Sequence, residues 1–131
     1  MINSRAKGKA GELEAAHFLT RLFHQPVRRS QQYCGSAASA DVVGLPGLHI
    51  EVKRVQNLNL HAALEQAARE AAPGEVPLVL HRANQRPWTI TIFADDLLRL
   101  TAAVTALKAD EQPRPPTFSL PCGGEQETQK T

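Results

Sequence analysis

DVVGLPGLHIEVKR, residues 41–54, reads as two short strands around a Pro46-Gly47 turn. The first strand is predicted over ADVVGL (40–45) and the second over LHIEVKR (48–54), because short β-branched runs are bounded by turn residues. Side chains alternate along a strand, so Leu48, Ile50 and Val52 share one face and His49, Glu51 and Lys53 the other. Asp41 opens the first strand. The stretch thus sets an acid, a second acid ten residues on, and a lysine two after that on strands that otherwise look like core.

Outward from this segment the elements follow from periodicity and breakers. Residues 4–24 read as a helix with Ala15, Phe18, Leu19 and Leu22 at helical spacing, stopped by Pro26. VRRSQ (27–31) is a first strand, and QYCGSAAS (32–39) a small, polar loop. Asn57 or Asn59 can cap a second helix over 60–72, whose apolar side is Leu60, Ala63, Leu64, Ala67 and Ala71. VPLVLHR (76–82) and WTITIF (88–93) are strands around ANQRP, and residues 94–109 a third helix. The order αβββαββα predicts an α/β fold, a central mixed five-stranded sheet flanked by helices. Strand 76–82, reached through a helix, is expected to run parallel to a strand of the first group. Residues 1–109 form the expected domain, and the Pro-, Gly- and Gln-rich stretch 110–131 a tail of disordered composition.

The net charge of +2 conceals an asymmetry. Residues 1–54 carry eight Lys and Arg against four acids, a weak pointer to a polyanion partner. No apolar run approaches the ~18–20 residues that span a bilayer. The charged N-terminus lacks the apolar core of a secretory signal, so a cytoplasmic location and no membrane partner are expected. Cys34 and Cys122 lie in polar contexts without metal-ligand spacing and read as free thiols. Trp88 is expected in the core or at a dimer contact. The five histidines, His17, His24, His49, His61 and His81, show no ligand spacing and read as bystanders, although His49 shares the face of Glu51.

Helical phase separates two neighbouring acids. At ~100° per residue, Glu12 shares a side with Ala15, Ala16, Leu19 and Phe23, whereas Glu14 lies ~200° away and reads as a solvated surface acid. A carboxylate on a buried face must be paired or coordinate a metal. Glu12, Asp41 and Glu51 converging on Lys53 would make an oxygen-rich cluster suited to a hard cation, Mg²⁺ or Mn²⁺.

These residues resemble the PD…(D/E)XK nuclease signature, here Ala40-Asp41 … Glu51-Val52-Lys53, with alanine where that family often has proline. KGKAGELEAAHFL further resembles the first helix of archaeal and phage Holliday-junction resolving endonucleases, in which a basic-glycine start precedes a catalytic Glu. The likeness covers about residues 4–100. It implies a restriction-endonuclease-like core. It also implies metal ligation by Asp41, Glu51 and the Val52 carbonyl, with Glu12 at a second metal or its waters and Lys53 serving the attacking water. Ser30 and Gln66 match supporting positions. The implied reaction is phosphodiester hydrolysis of four-way junctions, leaving a 5′-phosphate, with no small-molecule cofactor. Symmetric cutting implies a homodimer, joined through helix three or through Leu58 and helix two. A small stand-alone resolvase suits a phage, which would place it in the bacterial host's cytoplasm.

Arg5, Lys7, Lys9, Arg28, Arg29 and Arg54 are the expected phosphate contacts, and Tyr33 could stack on a base. Three alternatives stay open: a nicking or restriction-like nuclease on other DNA forms, a non-catalytic module that binds branched DNA, and a partner-binding protein with no DNA role.

Overall fold

The computed structural model describes residues 4–30 and 40–111, with side chains described for residues 8–30 and 40–108. The predicted loop 32–39, with Tyr33 and Cys34, and the tail from residue 112, with Cys122, lie outside the described residues.

The elements follow in the order α1 (Ser4–Phe23), β1 (Arg28–Arg29), β2 (Val42–Val43), β3 (Leu48–Lys53), α2 (Leu60–Glu70), β4 (Val76–His81), β5 (Thr89–Thr91) and α3 (Leu97–Glu111). A 3-10 turn, Ala94–Asp96, leads into α3. The strands form one mixed sheet in the order β1-β2-β3-β4-β5. The β3–β4 pair is parallel, as the helical crossover predicted, and the other pairs are antiparallel. The fold is therefore α/β, with a five-stranded mixed sheet and three helices.

α1 and α3 cover one face of the sheet. There Ala15, Ala16, Leu19, Phe23 and Leu107 pack with Leu48, Ile50, Val52, Val76, Leu78 and Leu80. α2 covers the other face, setting Ala63 and Leu64 against Val79. Asn59 caps α2, its Oδ1 accepting the Ala62 N–H at 3.1 Å. The buried stripe of α1 follows the i, i+4 row Ala15-Leu19-Phe23 with Ala16 beside it. Leu22, predicted to be buried, lies off that row and is half exposed. Trp88, partly buried, packs against the core, and its ring stacks on Phe18 with centroids 6.0 Å apart.

β1 and β2 are shorter than predicted because the chain bends at both ends of β2. Asp41 sends its N–H to the Ile50 carbonyl on one side and receives the Ser30 N–H on its own carbonyl on the other. At the far end Gly44 takes φ +126°, and a Cβ there would stand 2.4 Å from the Pro26 carbonyl oxygen. α3 continues past the boundary expected at residue 109. Gly44→Ala must strain the backbone and push the Pro26 segment away. It should cost about 2–4 kcal/mol in urea unfolding.

Candidate active site

β3 is buried over five of its six residues, so the charged face of the strand lies under α2 rather than in solvent. Glu51 is 4% exposed, and a carboxylate so placed needs partners. Gln66 on α2 supplies one, donating Nε2–H to Glu51 Oε2 at 3.1 Å. Lys53 Nζ stands 4.0 Å from the same oxygen. Gln66, a supporting candidate from sequence, therefore touches Glu51 directly.

Asp41 meets this group from the sheet side. The β2–β3 ladder ends at the Asp41 bend, and the Asp41 side chain takes over as acceptor: Oδ2 receives the Val52 N–H at 2.8 Å. The N–H and C=O of one strand residue point to the same side, so the Val52 carbonyl faces the Asp41 side as well. The Asp41 carboxyl is pushed up to about 7. Burial is the main cause and the Glu51 charge the next; the Val52 N–H opposes the rise, Glu12 adds to it, and Lys53 opposes it. Glu51, Glu12 and Lys53 thus all lie near enough to act on Asp41 through space. Ser30 is buried beside the bend, joined to Asp41 through its main-chain N–H.

Glu12 lies on the inward side of α1, half-buried, and its Oε1 accepts Arg29 Nε–H at 3.0 Å. Glu14 departs from its predicted role as a free surface acid. It is half-buried and holds two arginines: Oε1 accepts Arg54 Nε–H at 3.3 Å, and Oε2 accepts from Arg82. Gly11 explains the approach of Arg54, because a Cβ on Gly11 would stand 2.7 Å from the Arg54 Cβ. Of the predicted phosphate contacts, Arg29 and Arg54 are engaged by glutamates, and Arg54 also donates to Asn84 Oδ1 at 3.1 Å. Arg28 and Lys9 are exposed and line one cleft with Ala10, Leu13 and Arg29. Arg5 and Lys7 lie in the first turns of α1, outside the described side chains.

His49 is the residue the sequence reading passed over. It is 2% exposed, with Nε2 3.8 Å from Glu51 Oε1 and 3.9 Å from Glu70 Oε1, and Nδ1 3.6 Å from Glu75 Oε1. Glu51 chiefly, with Glu75 and Glu70, raises its basicity against the opposing effect of burial. Its shared face with Glu51 was the available signal; Glu70 and Glu75 join only through the placing of α2.

Asp41 and Glu51 are carboxylates of the kind that hold a hard divalent cation. Lys53 stands near Glu51, and the Glu51 and Glu12 charges add to the rise that burial chiefly gives Asp41, a part of the cost that a cation would also relieve.

Two consequences can be measured. The folded state holds the Asp41 proton more tightly than the unfolded chain, whose value is near 3.8. This carboxyl therefore favours folding below pH ~4 and loses that contribution as the pH rises through ~7. Asp41→Asn keeps an acceptor for the Val52 N–H and cannot ionise. It should exceed the wild type in stability at pH 8 by on the order of 1 kcal/mol, the gap closing by pH 4 in urea titrations. Glu14→Gln should lower stability by up to about 1 kcal/mol, less in high salt.

Comparison of the chain with protein-family models, with curated proteins and with solved structures returned no match.

Proposed function

We propose that the chain is a metal-dependent endonuclease with a restriction-endonuclease-like core, of the PD…(D/E)XK type, acting on branched DNA and foremost on four-way junctions. One observation carries this reading. The carboxylate of Asp41 is tied to the main chain of Val52, between Glu51 and Lys53, where the β2–β3 ladder ends. Acid, acid and lysine thereby come near one another, Asp41 just before β2 and Glu51 and Lys53 on β3.

Asp41, Glu51 and the Val52 carbonyl would hold the cation, Mg²⁺ or Mn²⁺, with Glu12 at a second position or its waters. Bound there, a divalent ion supplies Lewis acidity and a water of lowered pKa for attack on a phosphodiester. Lys53, 4.0 Å from Glu51 Oε2, would orient that water and neutralise charge developing on the phosphate. Gln66 fixes the rotamer of Glu51 through its amide. Lys9 and Arg28, exposed along one cleft beside Glu12, offer phosphate contacts that give affinity without base reading. Hydrolysis would leave a 5′-phosphate.

A junction has two strands to cut, and a homodimer supplies two sites. The apolar surface at Ile90, Phe93, Leu97 and Leu98 favours α3 and its approach as the contact, Leu98 being 79% exposed. Leu58, the other candidate, packs against the Ala63–Leu64–Val79 cluster instead. Among the described residues no helix is long and apolar enough to cross a membrane.

The test is cleavage of a synthetic four-way junction and a matched linear duplex, with and without Mg²⁺. Junction-selective, metal-dependent cutting is the expected result. Cutting of both substrates would favour the restriction-like alternative, and binding without cutting a non-catalytic module. Asp41→Asn and Glu51→Gln should each abolish cleavage while junction binding survives or tightens, since a negative charge facing phosphate is lost. Near-normal rates in either variant would overturn the metal assignment. Glu12→Gln should also be severe, because it removes a carboxylate from the cluster and releases Arg29.

A further inference from the structure

We infer that the α2 face of the sheet holds a second cation site, built from His49 Nε2, Glu51 Oε1 and a Glu70 carboxylate oxygen, and suited to a first-row transition-metal dication such as Zn²⁺. The donor atoms of these three residues lie within 4.8 Å of one another. His49 and Glu51 are almost wholly buried, yet His49 Nε2 and Glu51 Oε1 have no hydrogen-bond partner among the described residues. Two orphaned polar atoms, a donor-capable nitrogen and an anionic oxygen, face each other across the interior.

The spacing is informative. At 3.8 Å from Glu51 Oε1 and 3.9 Å from Glu70 Oε1, His49 Nε2 is too far from either for a hydrogen bond. Both separations are natural for atoms sharing one cation, because metal–ligand bonds of about 2.0–2.2 Å put neighbouring donors roughly 3–4 Å apart. The chemistry selects the ion: one imidazole and two carboxylates suit Zn²⁺, Mn²⁺ or Fe²⁺, whereas an all-oxygen set would suit Mg²⁺. The other ring nitrogen faces Glu75 Oε1 at 3.6 Å. At that distance Glu75 bears on the ring by charge and not through a hydrogen bond. Glu70 and Glu75 are only partly buried and give the ion a path from solvent.

Glu51 divides its two oxygens. Oε2 turns to Gln66 and Lys53, and Oε1 to His49. A cation on the histidine side would pin the carboxylate whose other oxygen belongs to the proposed nuclease centre. The site stands on its own geometry and shares only Glu51 with that reading.

The experiment uses the full chain freed of metal by chelation. Zn²⁺ is titrated against a chromophoric competitor, and X-ray absorption is recorded on the Zn²⁺-loaded wild type. One Zn²⁺ per chain with one imidazole in its coordination shell is expected. His49→Gln and Glu70→Gln should each weaken binding by about tenfold or more, with Glu14→Gln within about threefold of the wild type. Absence of a one-to-one Zn²⁺ complex, no imidazole in the absorption spectrum, or unchanged affinity in Glu70→Gln would overturn the site and leave His49 as an ion-pair partner. Should circular dichroism show His49→Gln unfolded, Glu70→Gln and the wild-type spectrum decide. Zn²⁺ binding without junction cleavage sinks the nuclease reading alone, and cleavage without Zn²⁺ binding sinks this site alone.

Discussion

Covering β3 on both faces leaves Glu51 almost wholly buried, and the surroundings answer that constraint. A buried carboxylate is tolerated only where other groups replace its lost solvation. Gln66 gives an amide hydrogen, Lys53 a nearby positive charge and His49 a ring whose charged form Glu51 favours. Two of these groups stand two residues either side of Glu51, where the period of a strand puts them on one face. The third arrives on α2, whose Ala63 and Leu64 seat it over Val79, the residue opposite Glu51 on β4. The packing of α2 and the electrostatics of β3 are therefore one arrangement.

The same economy governs α1. Its two glutamates, on opposite flanks, each bind arginine from another part of the chain: Glu12 reaches Arg29 at the edge strand, and Glu14 reaches Arg54 and Arg82 beyond the ends of β3 and β4. The helix is thereby fixed to the sheet at both sides of its buried row. Basic residues that look, in sequence, like a uniform surface for phosphate divide into those occupied in holding the fold together and those, Lys9 and Arg28, that remain exposed.

Local physics made much of this legible. The strand period placed Glu51 and Lys53 on one face, the helical period turned Glu12 inward, and Asn59 caps α2 as its side chain allows. The run from β3 through α2 to β4 required a parallel pair. What stayed hidden depends on distant partners. Nothing near Glu14 announces Arg82, 68 positions on. His49 gives no ligand spacing because its companions come from a helix and a turn some twenty residues away. The brevity of β1 and β2 follows from main-chain bonds around Asp41 and from the fit of Gly44 under Pro26, and Leu22 was misplaced because the buried row of α1 is narrower than an apolar count suggests.

The chain has a single tryptophan, and it rests on Phe18, six residues along α1 from Glu12. Indole emission responds to the polarity around the ring. The fluorescence of Trp88 accordingly reports whether α1 is seated against the β5 end of the sheet. The protein carries its own optical gauge for the helix that bears one of its inward acids, and that gauge needs no added label.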